Sequence, residues 1–207
     1  MFEDRKDAGA QIAKALKEHV DERSLIVGIP RGGVIIAAEA AHLLRVEFSL
    51  LIARKLPFPQ NPEAGFGAIA EDGSTVILQE ASSLVTEKEI KRIKSEQRQE
   101  IQRRVRTLRG GLPLPSLKGK TIVLTDDGIA MGSTMRAGIG MCRNQHAGRV
   151  IVAVPVCSPR VRSIIEELAD VTIVLESPYD FRAVAQVYQR WYDVTDEEVI
   201  EILSRYR

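Results

Sequence analysis

The chain's 207 residues suit one large domain with a substantial core, and 29 basic against 28 acidic side chains leave a formal net charge of +1. That balance excludes bulk attraction to nucleic acid or an anionic membrane, so an anion site has to be built locally. Cys142 and Cys157 are too few for a disulfide framework, no apolar stretch reaches the ~20 residues of a membrane span, and the charged run Glu3-Asp4-Arg5-Lys6-Asp7 is unlike a signal peptide, so the expectation is a soluble, cytoplasmic protein with reduced structural thiols.

In chain order, there is room for one helix before the first apolar run. Residues 24–29, 48–53, 121–125, 149–156 and 171–175 are short runs rich in Val, Ile and Leu, as expected of strands buried on both faces of a parallel sheet. Helical patterns at 34–44, 134–143 and 160–168 alternate with them, which predicts an α/β fold with a mainly parallel sheet flanked by helices. Ser158 before Pro159 reads as a capped helix start, and Thr86 with Glu89 and Thr195 with Glu198 have capping-box spacing. The Thr86 box opens a long basic helix that runs to about residue 106 and stops at Gly110 and Gly111; we read its charges as a solvated face rather than a nucleic-acid surface. Residues 56–67, with three prolines and two glycines, read as an irregular connection or a lid over a site.

The most informative run is 121–135. An apolar strand ends at Thr125, the carboxylates of Asp126 and Asp127 follow, and Gly128, Ile129, Ala130, Met131, Gly132, Ser133 and Thr134 lead into a helix. Ligands of open α/β sheets sit at the carboxyl ends of strands. Small residues let backbone N–H groups converge there, and a helix N-terminus adds about half a positive charge. The result is a cradle for a phosphate monoester. The adjacent acidic pair would repel a bare polyphosphate but suits a ligand with hydroxyl donors near its phosphate, and it offers a site for Mg²⁺, directly or through water.

This run resembles the ribose-phosphate signature of the type I phosphoribosyltransferases, with Met131 standing where that family commonly has Thr. The resemblance extends over about residues 8–185, in particular to stand-alone bacterial and archaeal members, and implies that family's fold with a small hood segment. It implies binding of 5-phosphoribosyl-1-pyrophosphate, with the ribose hydroxyls on Asp126 and Asp127 and the 5-phosphate on residues 128–134. It assigns the pyrophosphate to Pro30, Arg31, Gly32 and Gly33, a loop that in the family often contains a strained peptide bond, and to Arg54 and Lys55. Phe181, in the segment after the last strand, either stacks on an acceptor base or is ordinary core. The implied activity is Mg²⁺-dependent transfer of phosphoribosyl to an unidentified nitrogenous acceptor such as a nucleobase, with Asp126, Asp127 and Lys55 as catalytic residues. A homo-oligomer, a dimer, is the implied assembly. The alternative is a non-catalytic regulator on the same fold that binds the donor or a nucleotide, and RNA if it uses the basic helix. The expected organisation is one domain over 1–207, with a 56–80 loop or hairpin region and a 177–207 hood or tail.

Overall fold

The computed structural model describes residues 1–205; the last two positions of the expected 177–207 tail lie outside the described residues. In chain order the elements are α1 (Arg5–Leu16), β1 (Leu25–Gly28), α2 (Gly32–Leu44), β2 (Glu47–Leu50), β3 (Ala53–Phe58), β4 (Asn61–Ala70) and β5 (Thr75–Ile77). There follow α3 (Glu87–Arg109), β6 (Thr121–Thr125), α4 (Ser133–Asn144), β7 (Arg149–Val156), α5 (Pro159–Leu168), β8 (Val171–Glu176) and α6 (Asp196–Arg205).

Five strands form a parallel sheet in the order β2-β1-β6-β7-β8. Their apolar side chains alternate between two buried layers. Leu25, Ile122, Leu124 and Val152 pack under α4 and α5, while Ile26, Val123, Ile151 and Ala153 pack with Ile12 and Leu16 of α1 and Ala37 of α2. Strand order reverses at β1, whose neighbours are β2 and β6. The crevice at their carboxyl ends is therefore the topological switch point, where ligands of such sheets bind. In register, Gly28 lies opposite Thr125, so the turn after β1 meets the turn after β6.

Two expectations need correction. The expected 48–53 strand is two: β2 ends at Leu50, and Leu51 and Ile52 carry the chain into a separate sheet that starts at Ala53. The 56–67 stretch is not irregular but a hairpin, with β3 antiparallel to β4 and β4 to β5. Pro57 is tolerated because β3 is an edge strand and the register shifts on both sides of it, Pro59 lies in the turn, and Pro62 falls where the β3–β4 ladder skips from Asn61 to Gly65. The clamp at the crossover is a buried ion pair: Arg109, at the end of α3, donates to Glu71 and to the Leu50 carbonyl, while Glu71 accepts from the Ile52 amide at 3.2 Å.

Capping mostly follows the sequence. Thr86 and Glu89 form the reciprocal box, and Gly110 ends α3 in the left-handed region at φ 65°. At α6 the box is half made: Thr195 accepts from the Glu198 amide at 3.2 Å, but the Glu198 carboxylate takes the Tyr192 hydroxyl instead. Ser158 precedes α5 without capping it; its hydroxyl donates to the Ala130 carbonyl at 3.2 Å and ties the helix start to the loop after β6. Among the described residues no helix is long and apolar enough to cross a membrane.

Candidate functional site

The turn after β1 and the acidic pair after β6 are packed against each other. The Ile29 amide donates to the Thr125 carbonyl at 2.9 Å. A Cβ on Gly32 would stand 1.8 Å from Asp127 Oδ2, and one on Gly33 would stand 2.8 Å from the Asp126 Cα. Only glycines let the two turns close to this distance. The Pro30–Arg31 peptide bond is cis. Asp126 Oδ1 accepts from the Asp127 amide at 2.8 Å, which fixes one carboxylate against the next. Burial raises both carboxyl pKa values; the neighbouring Asp127 charge adds to the rise at Asp126, and Arg5 opposes it at Asp127.

Beyond the pair, the chain returns to β7: the Ile129 amide donates to the Val156 carbonyl at 2.8 Å and the Ser158 amide to the Ile129 carbonyl at 3.1 Å. Gly132, at φ 75°, precedes α4, and among the described residues no side chain caps that helix. Its first-turn amides, on Ser133 and Thr134, are not taken up by a side-chain cap. The Met131 side chain is 67% exposed rather than packed into the loop. Met131 instead borders a cavity of about 600 Å³ between the hairpin and α5, lined also by Phe58, Leu78, Leu84, Arg136 and Val161.

The expected basic ligands divide. Arg31 leans toward Asp196 of α6, 3.9 Å away. Arg54 is half-buried and donates to Gln97 of α3 at 3.2 Å; its pKa is lowered by burial first and then by the nearby Arg104, with Arg103 and Arg31 adding smaller effects. Arg54 thus lies against α3, where Glu100 pairs with both Arg103 and Arg104. Lys55 points across the hairpin, donating to the Glu63 carbonyl at 2.5 Å. Phe181 is packed against the core cluster that contains Phe2, Val187 and Tyr188, away from the cavity.

Three contributors carried no local sequence signal. Arg5, 4% exposed, donates through Nε to Asp127 Oδ2 at 2.9 Å, with its NH2 also 2.9 Å from that oxygen. Tyr188 donates to the Asp127 carbonyl at 2.7 Å. Trp191 lies face-on to the Arg5 guanidinium, 3.9 Å from ring centroid to Cζ. The available hint was an unexplained cluster of Tyr188, Trp191 and Tyr192 ahead of the last helix. Such rings attract a cation.

The model of the family described as "Phosphoribosyl transferase domain" matches residues 1–189. Two Mycobacterium tuberculosis sequences that carry the provisional name of phosphoribosyl transferase are 35% identical over 207 residues, 99% of this chain and 47% of theirs. The chain thus spans about half the length of the curated relatives it matches. A crystal structure from Thermus thermophilus superposes with a TM-score of 0.84 at 36% identity, covering 99% of this chain and 98% of that one. An Aquifex aeolicus structure, 15% identical and covering 82% and 70% of the two chains, shares the fold with a TM-score of 0.51. Matched by the family model over residues 1–189 and by the Thermus thermophilus structure along nearly its whole length, the chain belongs to the phosphoribosyl transferase domain family.

Proposed function

We propose that this protein transfers a 5-phosphoribosyl group from 5-phosphoribosyl-1-pyrophosphate to a nitrogen acceptor, releasing pyrophosphate. The observation that carries the reading is the closure of the Gly32–Gly33 turn onto Asp126 and Asp127 beside the uncapped start of α4. This arrangement supports three adjacent tasks. Residues 128–134 anchor the 5-phosphate, so binding energy remote from the reaction orients C1 of the ribose. Asp126 and Asp127 hold the ribose hydroxyls. Pro30, Arg31, Gly32, Gly33 and Arg54 take the departing pyrophosphate, with Arg forks matched to phosphate oxygens. Lys55 joins them only by leaving the Glu63 carbonyl.

Mg²⁺ arriving with the donor would neutralise pyrophosphate charge and ease its departure. Among the described residues no three His, Cys, Asp or Glu side chains gather to hold a metal. Asp126 and Asp127 therefore fit an ion completed by donor oxygens and water, the mode Mg²⁺ favours. Closure of the 56–67 hairpin over the site would keep water from the cationic carbon.

The test is pyrophosphate release from donor, Mg²⁺ and a panel of nitrogenous bases. Release that depends on the base is the expected result. Tight donor binding without release for any base would replace this reading with that of a binding regulator.

A further inference from the structure

Asp127 is held from outside the motif that contains it. The support starts where residues 2–3 run beside residues 187–190: the Phe2 amide donates to the Val187 carbonyl at 2.7 Å, the Gln189 amide to the Phe2 carbonyl at 2.9 Å, and the Arg190 amide to the Glu3 carbonyl at 2.9 Å. This pairing sets the first turn of α1 beside the aromatic segment. Arg5 projects inward from that turn. Its Nε and NH2 both lie 2.9 Å from Asp127 Oδ2, and its NH1 donates to the Tyr192 carbonyl at 2.9 Å. The guanidinium plane is covered by Trp191, with Tyr192 and Tyr188 further out at 5.4 and 6.0 Å. Tyr188 reaches past it to the Asp127 carbonyl. Each of the three guanidinium nitrogens thus has a polar partner.

This is more than a core ion pair needs. Arg5 Nε also lies 2.9 Å from where a Cβ on Gly32 would be, so one cation touches both the acidic pair and the turn assigned to pyrophosphate. Two donors of the arginine converge on the single oxygen Asp127 Oδ2 and pin that atom from a fixed plane, which a freely rotating lysine point charge does not. We propose that Arg5 is a positioning residue: held by Trp191 and the Tyr192 carbonyl, it spends Asp127 Oδ2 and so fixes the orientation in which Asp127 meets the ribose hydroxyls. The inference rests on the ribose-phosphate reading of this site. It makes the segment 188–192 part of the ligand-binding apparatus without any contact to ligand.

The experiment compares two probes by calorimetry, ribose 5-phosphate and inorganic phosphate, on the full chain. Arg5→Met is expected to weaken ribose 5-phosphate roughly tenfold or more, the scale seen when the orienting partner of a ligand-bearing side chain is lost. Inorganic phosphate, which needs only the loop and the start of α4, keeps its affinity. Arg5→Lys should recover part of the loss, and Trp191→Leu, at a position 39% exposed and so compatible with folding, should show a smaller loss of the same selectivity. Because Arg5 acts through Asp127, Arg5→Met added to Asp127→Asn should cost nothing further. Equal weakening of both probes, full additivity in that cycle, or unchanged ribose 5-phosphate binding in both Arg5→Met and Trp191→Leu would overturn the inference while leaving the ribose-phosphate site standing. A wild-type protein that binds phosphate but not ribose 5-phosphate would end both.

Discussion

Replacing Arg109 by Met removes the cation that clamps the crossover between the two sheets. Arg109 is 4% exposed, and its guanidinium serves Glu71 through both terminal nitrogens and the Leu50 carbonyl at 3.1 Å. Without it the Glu71 side chain, 11% exposed, keeps the Ile52 amide but has lost its counterion. Breaking a buried pair from one side costs about 3–5 kcal/mol. Glu71 limits that cost by taking up a proton, since burial already pushes its carboxyl above the ordinary value. We therefore expect about 3 kcal/mol, which for a protein of this size is a fall of about 6–12 °C in Tm. The assay is thermal and urea unfolding followed by circular dichroism. The double variant Arg109→Met with Glu71→Leu should return to within about 1–2 kcal/mol of the wild type, because a well-packed apolar pair replaces a buried ion pair at little cost. A loss below about 1 kcal/mol in the single variant, or a double variant no better than the single, would refute the argument. The clamp also sets the start of β3, so the single variant should weaken donor binding through a displaced Arg54.

Further outcomes follow from other contacts. Gly32→Ala places a Cβ 1.8 Å from Asp127 Oδ2, so ribose 5-phosphate binding should fall more than tenfold and stability by about 1–3 kcal/mol; unchanged titrations would contradict the packing of the two turns. Arg103 and Arg104 hold the Glu100 carboxyl at about 2, against an ordinary 4.5. A depressed carboxylate contributes stability above its unfolded value and loses it as pH falls through its folded one. The Tm gap between wild type and Glu100→Gln should therefore be small but present at pH ~6 and close as pH falls from about 4.5 toward about 2; a gap independent of pH would count against it. Burial pushes the Cys142 and Cys157 thiols up to about 12 and about 11, so iodoacetamide at pH ~8 should label neither until urea is added, as mass spectrometry would report. Thr86→Ala removes the cap of α3 and should cost about 1 kcal/mol in urea unfolding.

The parallel sheet was legible because its strands carry continuous apolar runs, and the loop after β6 because strand, acidic pair, small residues and hydroxyls follow one another locally. The hairpin was legible only as one option for residues 56–80, since Pro57 and Pro62 speak against strands until an edge position and register shifts absorb the first and a gap in the ladder between Asn61 and Gly65 the second. The break after Leu50 was hidden for another reason: residues 48–53 form a nearly continuous apolar stretch, interrupted only by Ser49, and the crossover is held by the distant Arg109–Glu71 clamp. Arg5 illustrates the same limit at the site itself. Its partner Asp127 and its cover Trp191 are remote in sequence, and periodicity carries no information about such pairings. Phe181 matched a family position by segment, and its half-buried ring rests against the core layer that holds Phe2 and Tyr188.

The neighbour relation between β1 and β6 has a kinetic side. These two strands sit together at the centre of the sheet, yet the chain between them contains α2, β2, the whole hairpin sheet and α3. Pairings so distant along the chain are slow to form, because a long loop must close before any contact rewards it. The hairpin and the capped α3 are local structures able to form early and shorten that loop. A weakened Thr86 cap would then delay assembly of a sheet it never touches, and the ligand crevice would be among the last parts of the molecule to exist.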